Sequence, residues 1–265
     1  YKAGGEPYAP GEVLRQPELA ATLRRIAKDG PAAFYKGPIA DLIVAAMRDN
    51  DGLMTHEDLA RYRAVEREPI VGSYRGLKIV SMPPPSSGGV LLVQMLTVLE
   101  RVDITASGFG SARTIHLMTE AMRQAYADRS RHLGDPDYWE APIAWLADKR
   151  YAATIAEAIA PNAARDSRAV LPGVAPGYES PDTTHYGVMD AAGNAVVNTY
   201  TLNFSYGSGI TIPGAGFLLN NEMDDFSAKP GAPNGYGLLG GDANAIEPGK
   251  RPLSSMTPTC VFKDG

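Results

Sequence analysis

SPDTTHYGVMD, residues 180–190, decides how the rest of the chain is read. A polar, turn-rich stretch ends at Asp182, two threonines follow, and an apolar alternation begins at once with Tyr186 and Val188. Thr, Tyr and Val favour the pleated, half-buried surface of a sheet, so the stretch predicts a strand entered abruptly from an exposed loop. AVVNTYTLN (195–203) alternates in the same way, and AAGN (191–194) joins the two, which predicts a β-hairpin. Thr183 and Thr184 at its mouth have two readings. They are strand formers in a suitable place, or one of them is a reactive group. A threonine hydroxyl is a weak nucleophile until a base takes its proton. At a chain N-terminus its own α-amino group, of pKa about 7.7–8.0, is such a base. That terminus would arise if the Thr183 hydroxyl attacked the Asp182 carbonyl and the resulting ester hydrolysed. The residues alone leave both readings open.

Upstream, residues 16–160 read as mostly helical. In QPELAATLRRIAKDG, Leu19, Leu23 and Ile26 recur on one face and Gly30 is a stop. PIADLIVAAMRDNDG repeats the pattern from Pro38 to Gly52, and THEDLARY opens with a near capping box, Thr55 and Asp58. Ser111 caps and Gly134 stops a long helix, and PIAWLADKRYAATIAEAIA predicts one further helix over 142–160. LKIVSM (77–82) reads as a short strand broken by three prolines. Residues 161–182 read as an exposed loop, and glycine-rich connections follow the hairpin. TCVF (259–262) is a strand running into a Lys-Asp-Gly turn with no partner strand after it. With Tyr1 rather than Met in front, both ends read as lying inside a longer protein. The layout is α+β: helices first, strands later.

Composition removes several function classes. The net charge is −5 and no Lys/Arg run forms a stripe, which argues against a nucleic-acid partner. The longest apolar block, GVLLVQMLTVL (89–99), falls short of the roughly 20 residues of a membrane span and contains Gln94. A single cysteine, Cys260, rules out an internal disulfide framework. His56, His116, His132 and His185 lack zinc-ligand spacing, so neither a metal nor a cofactor is expected. His116 and His132 lie on helical stretches and read as structural. No G-x-S-x-G elbow and no phosphate-binding P-loop is present. SSGG (86–89) could present N–H groups to an anion, but reads first as a helix cap with a flexible approach.

Longer stretches carry a resemblance. SPDTTHYGVMDAAGNAVVNTYTLNFSYGSG is similar to the start of the small subunit of the γ-glutamyltransferases, and LLNNEMDDFSAKPGAPNGYGLLGGDANAIEPGKRPLSSMTPT continues it. FYKGPIADLIVAAMRDNDGLMTHEDLARYRAVEREPIVGSYRG and SMPPPSSGG resemble the later part of the large subunit. The resemblance covers essentially the whole chain. It implies an N-terminal nucleophile hydrolase with an αββα sandwich, incomplete here at both ends. It also implies a precursor that cuts itself between Asp182 and Thr183, leaving residues 1–182 with the large subunit and 183–265 with the small one.

Position by position, the resemblance makes Thr183 the nucleophile and Thr201 the threonine that supports it. Asn203, Glu222, Asp225, Ser254 and Ser255 fall on the positions that bind the glutamyl group, and Tyr236 on the aromatic of a lid loop (230–241). Glu222 and Asp225 accept only, which suits an α-ammonium, and the serines donate to an α-carboxylate. Read alone, NNEMDD is a solvated acidic turn and LSSM a strand end. The implied substrates are glutathione and other γ-glutamyl compounds, with water, amino acids or dipeptides as acceptors. The two subunits would be each other's partners, and an exported, periplasmic or secreted, location is implied. The family's oxyanion glycines and the arginine that grips the α-carboxylate fall outside these residues. Related acylases acting on glutaryl-cephalosporins or poly-γ-glutamate, and an uncleaved non-catalytic member, are the alternative readings.

Overall fold

The structure, a computed structural model, describes residues 5–167, 169–170 and 184–263. The chain forms two compact units, one of Tyr1–Glu66 with Tyr206–Asn220 and one of Arg67–Ser205 with Asn221–Gly265.

The first unit holds α1 (Pro17–Asp29), α2 (Pro31–Tyr35), α3 (Pro38–Asp49) and α4 (His56–Arg61). Proline opens each of the first three helices, where its missing N–H has no partner to lose. The capping box of α4 is complete: Thr55 Oγ1 accepts from Asp58 N–H, and Asp58 Oδ2 accepts from Thr55 N–H at 2.8 Å. Ile39, Ile43, Leu59 and Ile212 make the core. On α1, Leu23 is exposed and Thr22 is buried, its hydroxyl donating to Ala215 O at 2.8 Å. A polar residue with a backbone acceptor thus takes the place that hydrophobic spacing gives to Leu23.

The second unit contains the hairpin β1 (Ile70–Tyr74) and β2 (Leu77–Ser81), with β5 (Thr259–Phe262) added antiparallel to β2. The lone strand read in TCVF thereby finds its partner far upstream. β1 was not expected; its signal is the two-residue turn Arg75–Gly76, both at positive φ (48° and 84°), which matches a primed hairpin turn. Behind the sheet run α5 (Gly88–Leu99) and α6 (Ala112–His132), the latter capped by Ser111 Oγ accepting from Thr114 N–H at 3.1 Å. The core joins Ile70, Ile79, Val90, Val93, Leu133 and Leu253.

The single helix expected over 142–160 is two, α7 (Ile143–Leu146) and α8 (Lys149–Glu157). Asp148 breaks it by accepting Arg150 N–H at 2.7 Å, which caps a new start. Glu120 of α6, 1% exposed, accepts from Arg165 Nε (2.5 Å) and Arg123 Nε (3.1 Å), and so anchors the start of the loop after α8. The hairpin predicted from SPDTTHYGVMD is present as β3 (Thr184–Met189) and β4 (Ala195–Tyr200), with Thr184 opposite Tyr200. The fold class is α+β. Among the described residues no helix is long and apolar enough to cross a membrane.

Candidate active site

Asp182 and Thr183 lie outside the described residues. Thr184 pairs with Tyr200, the residue before Thr201, so Thr184 and Thr201 lie at the same end of the hairpin. Thr201 Oγ1 accepts the Asn203 N–H at 2.9 Å. Asn203 is buried and sits at φ 74°, a left-handed conformation that Asn tolerates better than most residues. Its Nδ2 donates to Asn221 O at 3.1 Å, while Asn221 Oδ1 accepts from Phe204 N–H at 2.9 Å. Two asparagines thus stitch the end of the hairpin to the start of NNEMDD.

That stretch is a 3₁₀ turn, Glu222–Asp225. With three residues per turn, positions i and i+3 eclipse, so Glu222 and Asp225 project to the same side. They are hydrogen-bonded to each other and partly withdrawn from water. Burial raises Glu222 to about 7, helped by the Asp225 charge and by its hydrogen bond to Asp225. Burial also raises Asp225, to about 6, against the opposing pull of Arg129. Glu222 is therefore the partner that holds the proton. The sequence reading of a solvated turn fails for these two residues. It holds better for Asp224, whose carboxylate takes the Gly235 N–H at 3.0 Å.

Ser254 and Ser255 sit on a segment held from several sides. Ser87 donates through both N–H and Oγ to Ser254 O at 2.9 Å, Ser86 Oγ donates to Met256 O at 2.6 Å, and Ser254 N–H donates to Pro85 O at 2.9 Å. The SSGG motif therefore works differently from a helix cap: Ser87 makes no side-chain cap bond. Its glycines permit close approach, since a Cβ on Gly88 would lie 2.1 Å from Thr257 Oγ1 and one on Gly89 2.1 Å from Met82 O.

Buried Asn244 joins the acid turn to the serine segment, donating from Nδ2 to Asp225 O (2.7 Å) and accepting at Oδ1 from Leu253 N–H (3.0 Å). Asn244→Ala leaves both groups unpaired, and unfolding by urea is expected to show a loss of about 2–4 kcal/mol at unchanged m-value. A loss below about 0.5 kcal/mol would assign the two bonds no structural weight.

The 230–241 loop is itself a small hairpin, with Asn234 N–H donating to Leu238 O and Gly231 N–H to Gly240 O. At its tip the Tyr236 hydroxyl donates to Asn203 O at 2.5 Å and the ring meets Phe204 edge-on at 4.9 Å. The loop thus lies against the residue that the acid turn also grips. Among the described residues no group of three or more His, Cys, Asp and Glu is placed to hold a metal ion.

Thr201, Asn203 and Tyr236 thus form one hydrogen-bonded network that reaches Asn221, at the start of the turn carrying Glu222 and Asp225, and Asn244 bonds that turn to Leu253, directly before Ser254 and Ser255. Sequence reading gave no weight to Asn244 or Arg129. Arg129 had a signal: it continues the i, i+4 row Leu117, Ala121, Ala125 on the buried face of α6. An arginine on an apolar stripe needs a partner inside.

Comparison with known proteins agrees with this layout. The Gamma-glutamyltranspeptidase family model matches residues 1–265. The glutathione hydrolase proenzyme of Escherichia coli (strain K12) is 56% identical over 261 residues, 98% of this chain and 45% of that protein, so the chain spans about half the length of this relative. The crystal structure of Helicobacter pylori gamma-glutamyltranspeptidase superposes with a TM-score of 0.63 at 46% identity, over 65% of this chain and 49% of that one. The cephalosporin acylase of Bacillus halodurans superposes with a TM-score of 0.80 at 28% identity, over 98% of this chain and 44% of that one. These likenesses bear out the αββα architecture of the N-terminal nucleophile hydrolases. Given a family match along its whole length and relatives above half identity, the chain belongs to the gamma-glutamyltranspeptidase family.

Proposed function

We propose that this chain carries the nucleophile and glutamyl clamp of a γ-glutamyltransferase/glutathione hydrolase. The observation that carries the reading is the half-buried acid pair Glu222–Asp225, tied by Asn244 to the backbone of Leu253, directly before Ser254 and Ser255. A γ-glutamyl group bears an ammonium and a carboxylate on one carbon, and such a site answers each with the opposite chemistry. In this reading Thr183, once freed from Asp182, passes its hydroxyl proton to its own α-amine and attacks the γ-carbonyl carbon. The amide C–N bond breaks, the amine leaves with that proton, and a γ-glutamyl ester remains on Thr183. Water, an amino acid or a dipeptide then takes the acyl group, giving ping-pong kinetics. Thr201 supports the nucleophile by hydrogen bonding.

Maturation would divide residues 1–182 from 183–265, as large- and small-subunit parts. Pairing of β2 with β5, and the bonds of Ser86 and Ser87 to the serine segment, would keep the pieces together after the cut. An exported location, periplasmic or secreted, follows from the resemblance. The acylase reading makes poor use of the site, because a glutaryl chain has no ammonium for Glu222 and Asp225.

The test uses the full-length gene product, incubated near neutral pH and read by intact mass, then assayed on γ-glutamyl- and glutaryl-p-nitroanilide. Cleavage before Thr183 and preference for the γ-glutamyl compound are expected; preference for the glutaryl compound sinks the proposal. Tyr236, as a lid closed on Asn203, would exclude water from the acyl-enzyme. Tyr236→Ala is then expected to shift the hydrolysis-to-transfer ratio by about threefold or more, on the scale of one lost hydrogen bond. An unchanged ratio counts against a lid.

A further inference from the structure

We propose that Arg129 is a positioning residue for carboxylate capture: it orients the Ser255 hydroxyl so that its proton faces the substrate. The inference rests on the glutamyl reading of the serine pair.

Arg129 is 4% exposed, although arginine is seldom fully buried without a partner. Its guanidinium can only donate. Nε donates to Ser87 Oγ at 3.0 Å, and one terminal nitrogen donates to Leu253 O at 3.0 Å and to Ser255 Oγ at 3.3 Å. The consequence is one of direction. Ser87 Oγ, having accepted from Arg129, spends its own proton on Ser254 O at 2.9 Å. Ser255 Oγ likewise accepts from Arg129, so its one proton must point elsewhere. Ser255 is on the exposed side of the segment, and among the described residues that proton has no acceptor.

Ser254 repeats the arrangement, its Oγ accepting from Met256 N–H at 3.1 Å. Two hydroxyls are thereby turned into donors toward the open side. A carboxylate offers acceptors only, so this orientation selects it. The buried cation behind Ser255 polarises the same O–H and adds attraction for an anion. Arg129 also lies within electrostatic reach of Asp225, so one cation is shared by both halves of the clamp.

The experiment compares kcat/KM on γ-glutamyl-p-nitroanilide with that on 4-aminobutyryl-p-nitroanilide, which lacks only the α-carboxylate, using the full-length gene product. Arg129→Lys is expected to cost about tenfold on the first, mainly in KM, and under about twofold on the second. In a Ser255→Ala background the Arg129→Lys penalty should shrink to about twofold or less. Equal losses on both compounds, or an undiminished penalty beside Ser255→Ala, would overturn the proposal and make Arg129 a packing residue. Should Arg129→Lys fail to mature, Ser87→Ala loosens the Nε end of the guanidinium and is expected to give a smaller, carboxylate-specific rise in KM. No such rise overturns the proposal equally. Failure of the glutamyl reading is separately visible, because the unaltered protein would then not prefer the γ-glutamyl compound over the glutaryl one.

Discussion

Thr183→Ala in the full-length gene product leaves the Asp182–Thr183 bond intact and removes turnover of γ-glutamyl-p-nitroanilide, by about a millionfold in kcat, the scale of deleting a covalent nucleophile. Both losses have one cause. In the proposed maturation the hydroxyl of Thr183 attacks the carbonyl before it, and in catalysis the same hydroxyl attacks the γ-carbonyl. Thr183→Ser keeps the hydroxyl and the α-amine, so it should still cut and still turn over, more slowly. Intact mass and N-terminal sequencing separate the outcomes. A Thr183→Ala chain that still splits before residue 183 would falsify the assignment, since the nucleophile would lie elsewhere. Thr184→Ala serves as the control: Thr184 is a strand residue paired with Tyr200, and its loss should leave the cut in place.

Much of the local structure was legible because short-range chemistry dictates it. The Thr55–Asp58 capping box and the Ser111 cap each involve partners three residues apart, within the span of a sequence pattern. The β3–β4 hairpin was legible for the same reason. Failures came where a distant residue decided the outcome. Thr22 is buried because Ala215 O is there to receive it. Gly88 and Gly89 are required by Thr257 and Met82 packed against them, and no local motif shows that.

The acid pair shows the limit most clearly. NNEMDD reads as a solvated turn, and the i, i+3 spacing of Glu222 and Asp225 pairs them only once the backbone is known to be 3₁₀. Asp225 is enclosed with Arg129 from α6, with Asn244 and with the 230–241 loop, and the motif itself shows none of these. The resemblance supplied the roles of Glu222 and Asp225; it did not supply Arg129 or Asn244, which act through other side chains and leave no motif of their own.

Asp225→Ala is expected to lower kcat/KM for a γ-glutamyl donor by about 10²–10³, the usual cost of truncating one side of a desolvated charge pair, and to change glutaryl turnover much less. The pH behaviour tests the same pair without removing it. When empty, Glu222 and Asp225 retain protons well above the ordinary carboxylate values of 4.5 and 3.8, because burial disfavours the charged form of each and the Asp225 charge opposes a second charge on Glu222. An arriving ammonium must displace that proton. Affinity for the donor should therefore rise as pH climbs toward about 7 and level off above it, with proton release measurable by calorimetry in buffers of different ionisation heat. Stability runs the other way. The folded, unliganded state binds more protons than the unfolded chain between the ordinary and the raised values, so the pair's contribution is fully present below 3.8 and is lost as pH rises through about 6 and 7. Glu222→Gln removes the group raised to about 7 and leaves Asp225, raised by burial to about 6, as the one that titrates, so both pH dependences move to more acidic values. If Glu222→Gln left the pH profile of donor affinity unmoved, the proton would reside outside the pair, and the ammonium-binding role of Glu222 and Asp225 would fall with it.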